Sequence, residues 1–189
     1  LRTADGEPNG YVTVAQDVTH HREETNRLLQ LSERDPLTGL LNRRGFEGYL
    51  SAEASSGRGD QVGLLYVDLD HFKRVNDAHG HPVGDEVLRQ FASRLRRAVR
   101  PDDGVARVGG DEFAVILKGV PSEALCHATA EQVLSVTQEP FRVHALQLSV
   151  TASIGIAFGV AVGEGYEQLV RRADVMLYQA KAGGRGRWV

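Results

Sequence analysis

The sequence feature that most constrains the fold is a short apolar run, residues 62–67, that continues directly into Asp68-Leu69-Asp70. A continuous apolar run of this length is typical of a central strand that is covered on both faces of a sheet. The stability of such a strand does not require charged residues at its end, so the acids mark a candidate functional site. We interpret Asp70 as the cap of a helix that begins at Phe72, which leaves Asp68 as the candidate ligand.

The rest of the chain alternates between helical and strand patterns. These patterns predict helices over residues 43–54, 83–99, 122–137 and 166–182, a hairpin of strands 105–108 and 113–117, and a strand over residues 146–158. The resulting order is βαββαβ with extra pieces. We expect an α+β fold with a four- or five-stranded, mainly antiparallel sheet and helices on one face, in a ferredoxin-like arrangement.

Residues 1–34 differ in character from the rest of the chain. A turn cluster at residues 5–10 precedes a segment of strand composition, and residues 20–34 are polar with few helix breakers. We interpret residues 1–19 as the end of an upstream domain, residues 20–34 as a connector helix and residues 35–189 as the main domain. Polar residues occupy the candidate heptad seam of the connector, which leaves pairing with a second copy open.

Composition and charge exclude several classes of function. The chain has 22 Lys and Arg against 25 Asp and Glu, a formal charge of -3, so we expect no nucleic-acid binding and no direct membrane contact. Its apolar runs are far shorter than the ~20 residues of a membrane-spanning helix. A single cysteine, Cys126, suits a small buried thiol in a reducing, cytoplasmic compartment. Since the chain begins at Leu1 without methionine, we expect a fragment whose upstream part could be membrane-anchored.

A second group of acids follows two glycines in Gly109-Gly110-Asp111-Glu112, at the tip of the predicted hairpin. Because glycines leave the turn without side chains, a bulky ligand can approach the backbone there. If the hairpin neighbours the strand that ends near Asp68, then Asp68, the Leu69 carbonyl and Asp111 converge as oxygen ligands of the kind that Mg²⁺ prefers. The alternative is an ordinary turn with solvated acids.

Two further groups suit a nucleotide. Asn76 and Asp85 belong to a polar, glycine-containing loop, and a carboxylate with a side-chain amide can pair with the edge of guanine. Lys181 and Arg185 flank two glycines after the last predicted helix, where cations can hold polyphosphate oxygens. Taken alone, the first group is equally typical of a capped turn, and the second of a helix C-terminus with solvated charges.

Several motifs occur together along residues 33–189. They are Asp35-Pro36-Leu37-Thr38-Gly39-Leu40-Leu41-Asn42-Arg43-Arg44, Asp68-Leu69-Asp70-His71-Phe72-Lys73, Asn76, Gly80-His81, Gly84-Asp85, Gly109-Gly110-Asp111-Glu112-Phe113, and Ala173-Asp174 through Lys181. In order and spacing they resemble the GGDEF family of diguanylate cyclases. The resemblance implies a nucleotidyl-cyclase, palm-like α+β fold with helices surrounding the sheet. It also implies condensation of two GTP into cyclic di-GMP and two pyrophosphates at the interface of a homodimer.

The same resemblance implies roles for individual residues. Asp68, the Leu69 carbonyl and Asp111 would bind two Mg²⁺, which Mn²⁺ can replace, with Glu112 beside them. Catalysis would involve Lys73, Asp111 and Glu112. The implied substrate-binding residues are Phe72, Lys73, Asn76, His81, Asp85, Gly109, Gly110, Lys181 and Arg185.

Two further resemblances concern regulation. Arg100-Pro101-Asp102-Asp103 matches the RxxD inhibitory motif of the family, which implies that cyclic di-GMP binds at Arg100 and Asp103 and inhibits the enzyme. A surface ion pair is the alternative interpretation. Residues 10–22 resemble the closing strand and exit motif of a PAS sensor domain, so we interpret residues 1–19 as a PAS remnant and residues 20–34 as a signalling helix.

Two other functions stay open on the sequence alone. The domain could be a catalytically silent receptor for GTP or cyclic di-GMP, although such receptors usually have a broken hairpin motif and this one is intact. It could also use ATP. Asp85 argues against adenine, because a carboxylate suits the donors of guanine.

Overall fold

The computed structural model describes residues 33–55, 61–160 and 166–189. Its helices are α1 (Arg43–Ser55), α2 (Phe72–His79), α3 (His81–Ala98), α4 (Glu123–Ser135) and α5 (Tyr166–Ala182). Its strands are β1 (Gln61–Leu69), β2 (Gly104–Arg107), β3 (Glu112–Leu117), β4 (Phe141–Val143), β5 (Leu146–Leu148) and β6 (Ala152–Val160). Within these ranges, none of the helices is long and apolar enough to cross a bilayer.

The predicted PAS remnant lies outside the described residues, as does nearly all of the predicted signalling helix. Glu33 and Arg34, the last two residues assigned to that helix, are not helical. Arg34 instead forms an antiparallel β-bridge with Leu41. The turn between them is closed by a hydrogen bond from the Asp35 N–H to the Leu40 carbonyl, 2.8 Å long.

The main sheet has four antiparallel strands in the order β2-β3-β1-β6. Strand β1 is central, as its apolar run predicts, and its residues from Val62 to Leu69 are buried. Glu112 of β3 and Ser153 of β6 flank Asp68 of β1 in register. The end of β1 is therefore paired on both sides, and the neighbouring strands hold Asp68 in place.

Helices cover both faces of the sheet, so the expected placement on one face is wrong. One core joins Leu65, Val67 and Leu69 to apolar residues of α3 and α4. The other joins Leu64 and Tyr66 to apolar residues of α1 and α5. The reason is the sequence of β1. Successive side chains of a strand point to opposite faces of the sheet, and nearly every residue of β1 is apolar, so helices must bury both faces. The family-implied arrangement, with helices surrounding the sheet, is confirmed.

The strand predicted over residues 146–158 is wrong as a single element. Leu146–Leu148 is β5, which pairs with β4 in a separate two-stranded sheet, and Ala152–Val160 is β6 of the main sheet. The break falls where Thr151 uses its carbonyl to accept from the Asp70 N–H and its hydroxyl to donate to the Asp70 carboxylate, at 2.8 and 2.7 Å. Strand β4 was not predicted because it has only three residues, one of them the exposed Arg142.

Candidate active site

Asp68 and Glu112 lie directly opposite each other in the β1–β3 pair. Side chains at such positions project from the same face of a sheet, and like charges there are destabilising. The stability of the sheet therefore does not explain two acids at this position. Lys181 at the end of α5 compensates part of the charge, since its Nζ lies 2.7 Å from Asp68 Oδ2.

The electrostatic surroundings of Asp68 are unusual for a carboxylate at a strand end. Its residue surface is only 8% exposed. Burial raises the pKa of Asp68, Lys181 lowers it, and the charges of Asp111 and Glu112 raise it, with a net shift above the ordinary value. Three carboxylates thus lie within electrostatic reach of one another at one end of the sheet. A divalent cation would relieve the repulsion among them.

Asp111 lines a pocket of about 340 Å³ at the same end of the sheet. A pocket of this size is in the range of small-ligand sites. Apart from Leu88 and Arg107, its lining residues belong to the predicted site: Phe72, Lys73, Asn76, His81, Asp85, Gly110 and Asp111. Most of the residues predicted from separate motifs are therefore brought together around one concave space.

Two glycines set the close packing of α2 against α3 at this pocket. Gly80, with φ 83°, ends α2 and caps α3, a backbone conformation that glycine adopts without strain. At Gly84, an added Cβ would lie 1.9 Å from Asn76 Oδ1. The Asn76 side chain therefore rests on the α3 backbone, one residue from Asp85, and the two predicted guanine-reading groups face the same pocket.

The hairpin tip leaves open space at one glycine and packs closely at the other. An added Cβ at Gly110 would meet no atom within 4 Å, whereas at Gly109 it would lie 2.2 Å from Glu112 Oε2. The Glu112 carboxylate is therefore folded back over Gly109. The N–H of Leu69 donates to the Asp111 carbonyl over 3.2 Å, which fixes the tip beside the end of β1.

Arg107 is a site residue that none of the sequence motifs predicted. Its Nε and Nη2 donate to the Gly110 carbonyl at 3.1 and 2.7 Å, and its Nη1 donates to Asp35 Oδ1 at 3.2 Å. Burial raises the pKa of Asp35, but hydrogen bonds from Thr38 and the charge of Arg107 bring it below the ordinary value. A charged residue in an otherwise apolar hairpin arm, two positions before the Gly-Gly tip, was the available signal. Arg107 ties the tip to the turn that begins the domain.

Arg107→Ala is expected to lower the free energy of unfolding by roughly 2 kcal/mol, because it leaves the partly buried Asp35 carboxylate without its cation. Both side chains are largely buried, at 14% and 16% exposure. Denaturant unfolding of Arg107→Ala, Asp35→Asn and the double variant measures the coupling. The control is Arg89→Ala, whose exposed pair with Glu86 should contribute less than about 1 kcal/mol. Equal losses for Arg107→Ala and Arg89→Ala would contradict the role of Arg107.

Asp70 does not cap α2, so that interpretation is wrong. The residue before α2 is His71, and the helix start has no side-chain cap. The buried Asp70 carboxylate instead accepts from the Thr151 and Ser153 hydroxyls, both at 2.7 Å, and from the Gly186 N–H at 3.0 Å. Asp70 is a structural anchor that joins the ends of β1 and β6 to the C-terminal loop.

The two cations predicted for the polyphosphate lie apart from the pocket. Lys181 pairs with Asp68. Arg185, in the left-handed region with φ 64°, lines a different cleft of about 720 Å³ together with Arg187 and Trp188. In the structure, therefore, Lys73 is the predicted phosphate-binding lysine that lines the pocket.

Arg100 and Asp103, the predicted inhibitory pair, are in contact. Arg100 Nε and Nη2 donate to the two oxygens of Asp103 at 3.0 and 2.8 Å. They lie along a cleft of about 620 Å³ that also includes Tyr49, Glu53 and Lys118. This bidentate pair agrees with both interpretations from the sequence, a ligand site and an ion pair.

The residues at the end of β1 suit a hard divalent cation. In the described part of the chain, no group of three or more His, Cys, Asp or Glu side chains is arranged to hold a metal ion by itself. Mg²⁺ is commonly bound by one or two carboxylates, with water and substrate phosphate oxygens completing the shell. Asp68 and Asp111, with Glu112 beside them, provide that kind of donor set.

Comparison with known proteins agrees with the fold. The family profile described as "Diguanylate cyclase, GGDEF domain" matches residues 32–187. The chain belongs to this family.

Three similar proteins illustrate its range. The response regulator PleD of Caulobacter vibrioides is 45% identical over 172 residues, 87% of this chain and 37% of that protein. The cyclic di-GMP phosphodiesterase PdeR of Escherichia coli is 36% identical over 91% of this chain and 26% of its own length. The crystal structure of the DgcB GGDEF domain from Caulobacter crescentus in complex with c-di-GMP has a TM-score of 0.73 at 33% identity, covering 95% of this chain and 97% of that one. The chain thus spans well under half of both curated relatives.

Proposed function

We propose that the chain is a diguanylate cyclase domain, which condenses two GTP into cyclic di-GMP and two pyrophosphates. The observation that carries the proposal is the pocket that unites Asn76, Asp85 and Lys73 with Asp111, next to the acids Asp68 and Glu112. A guanine-reading end, a phosphate-binding lysine and a group of acids are the parts that nucleotidyl transfer requires. Pyrophosphate release from GTP by the purified chain tests the proposal.

Two Mg²⁺, or Mn²⁺ in their place, would be held by Asp68, the Leu69 carbonyl and Asp111, with Glu112 in support. When bound, the metal lowers the pKa of the attacking 3′-hydroxyl and neutralises charge on the α-phosphate. Lys73 would hold phosphate oxygens, and Asp111 would accept the hydroxyl proton. Lys181 would leave Asp68 for the triphosphate once a metal took its place, and Arg185 would have to turn out of the separate cleft that it lines to reach the same phosphates.

In this proposal Asp85 accepts hydrogen bonds from the N–H groups of guanine, and Asn76 pairs with the remaining atoms of the guanine edge. The shape of the site is set by Phe72, His81, Gly109 and Gly110. Asp85→Asn is expected to lower kcat/KM for GTP by about 10²-fold, because a charged hydrogen-bond acceptor is lost and the amide places a donor against guanine donors. The kcat/KM for ATP should change much less, so the ratio of kcat/KM for GTP over ATP should fall.

Initial rates with GTP, ATP and their mixture measure this change. Asp77→Asn is the control, an exposed acid in the neighbouring helix α2, and should leave the ratio of kcat/KM for GTP over ATP unchanged. An unchanged ratio in Asp85→Asn as well, or formation of a hybrid dinucleotide by the wild-type chain in preference to cyclic di-GMP, would contradict the assignment of guanine to Asp85.

The reaction also needs a second copy of the chain. One pocket presents one GTP, and cyclisation requires two that face each other, so we propose a homodimer of catalytic domains. The specific rate should rise with protein concentration until the dimer saturates. In this proposal the domain occupies residues 35–189, the signalling helix covers residues 20–32 because Glu33 and Arg34 are not helical, and residues 1–19 are the PAS remnant, all in the cytoplasm.

Product inhibition is proposed at Arg100 and Asp103. The bidentate pair at the edge of a cleft of about 620 Å³ supports it, as does the complex of the related DgcB domain with c-di-GMP. The guanidinium of Arg100 suits a phosphodiester of the product.

One comparison favours a second candidate function. The name of the relative PdeR gives another activity, that of a phosphodiesterase. The second candidate is therefore a receptor domain that binds GTP or cyclic di-GMP without turnover. The intact residues 109–113 favour the cyclase. Cyclic di-GMP binding with no pyrophosphate release, even at protein concentrations that saturate dimer formation, would favour the receptor.

A further inference from the structure

Asp103 is saturated by hydrogen bonds from its own neighbourhood. It is 4% exposed. Its two oxygens accept from the N–H of Arg100 at 3.1 Å, from Arg100 Nε and Nη2 at 3.0 and 2.8 Å, and from the N–H of Lys118 at 3.3 Å. An ionised carboxylate has about four acceptor positions, and four donors are present. In this state Asp103 has no free acceptor position, so a ligand in this cleft needs side chains in addition to the RxxD pair.

Lys118 is the second cation of the cleft. Its carbonyl accepts from Arg100 Nη2 over 2.9 Å, so the backbone of Lys118 is fixed next to Arg100. Its ammonium lies 2.5 Å from Glu53 Oε1 and 4.2 Å from the centre of the Tyr49 ring. The Lys118 and Arg100 side chains are 35% and 51% exposed, so an anion that enters the cleft can reach both.

Glu53 and Tyr49 hold the Lys118 ammonium in its present position. Burial lowers the pKa of Lys118, but hydrogen bonding to Glu53 and Tyr49 outweighs it and leaves the pKa raised, so the side chain is cationic at neutral pH. Tyr49 itself is fixed by its hydroxyl, which donates to the Asp102 carbonyl over 2.5 Å. An aromatic ring with a cation on its face is a surface on which a purine can stack once the cation moves.

We propose that Lys118 is a second phosphate-binding residue of the product site. Its side chain moves away from Glu53 and Tyr49 and binds one phosphodiester of cyclic di-GMP, while Arg100 binds the other. The movement exposes the ring of Tyr49 to a guanine base. The ligand has two phosphodiesters, and the cleft has two reachable cations. This inference rests on the proposed product inhibition and adds residues outside the RxxD motif.

Calorimetric titration of cyclic di-GMP into the 189-residue chain tests the proposal. Lys118→Met is expected to weaken binding about tenfold and to flatten its dependence on salt, because one charge-assisted contact is lost. Lys118→Arg should bind within about threefold of the wild type, since it keeps a cation for the phosphodiester. Glu53→Gln should tighten binding a few-fold, because Lys118 is no longer held by a carboxylate. The basal rate of GTP turnover, measured without product, should be unchanged in all of them.

Arg171→Met is the matched control, because Arg171 forms an exposed ion pair with Glu167 on α5 and its loss removes the same charge. Wild-type affinity in Lys118→Met, with affinity lost in Arg100→Ala, would overturn the role of Lys118 and leave the product site standing. Wild-type affinity in Arg100→Ala would instead overturn the product site itself. Equal weakening by Arg171→Met and Lys118→Met would show only an effect of net charge and would also overturn the proposal.

Discussion

Asp111→Ala is expected to lower the rate of cyclic di-GMP formation by roughly 10³-fold or more. Asp111 lines the nucleotide pocket, and its carbonyl accepts a hydrogen bond from the N–H of Leu69 at the end of β1. It is therefore the acid that links the pocket to the proposed metal site. Loss of a metal ligand removes several kcal/mol of transition-state stabilisation, and each 1.36 kcal/mol is a factor of ten in rate.

Separate measurements distinguish chemistry from folding in that variant. Asp111 lies at the partly exposed hairpin tip, so its thermal midpoint should stay close to that of the wild type. Glu139→Gln, an exposed acid outside the site, is the control and should keep full activity. Activity in Asp111→Ala within tenfold of the wild type would remove Asp111 from the proposed mechanism.

Gly155→Ala is expected to destabilise the fold by about 3 kcal/mol or more. Gly155 lies in the middle of β6, where α5 crosses the strand. An added Cβ would lie 2.0 Å from the Ala173 carbonyl oxygen and 2.2 Å from the Leu177 nitrogen. Both are backbone atoms on the buried face of α5, so the helix must move away from the sheet, and overpacking of this kind is costly.

Denaturant unfolding of Gly155→Ala checks this expectation, with Gly48→Ala as the control. At Gly48 in α1 an added Cβ meets nothing within 4 Å, so the same substitution should raise stability by roughly 0.5–1 kcal/mol. Because α5 carries Lys181, Gly155→Ala should also reduce activity. Equal stability of the Gly155→Ala and wild-type chains would contradict the close contact of α5 with β6.

Local patterns of the sequence predicted most of the secondary structure. The apolar run of β1, the hairpin around Gly109 and Gly110, and the helix over residues 166–182 are present as predicted, because each has strong periodicity and clear turn residues at its ends. Which faces of the sheet the helices pack against was harder to predict. A ferredoxin-like order suggested helices on one face, while the apolar run of β1 already required cover on both.

The errors concern long-range hydrogen bonds. Asp70 suits a helix cap by its position in sequence, and only the fold brings Thr151, Ser153 and Gly186 to its carboxylate. The same contacts interrupt the strand predicted over residues 146–158. A single sequence carries no local signal for such partners.

In the candidate site, too, the local features were predicted and the long-range contacts were not. The motifs predicted most of the pocket residues, because most of these residues lie at a strand end, a hairpin tip or a helix start. Asn76 and Asp85 were predicted in a loop but lie within α2 and α3. Arg107 received no role, since its partners are a carbonyl at the tip and Asp35, far away in the sequence. The contact of Lys181 with Asp68, and the separation of Arg185 from the pocket, likewise depend on how α5 and the C-terminal loop pack.

Chromatography of the nucleotides after incubation of the chain with GTP and Mg²⁺ is the most direct test of the proposed activity. We predict a peak with the retention time and mass of cyclic di-GMP, which disappears when the metal is chelated and in Asp111→Ala. Unchanged GTP in every sample, at protein concentrations high enough to form the dimer, would contradict the cyclase and leave a nucleotide receptor.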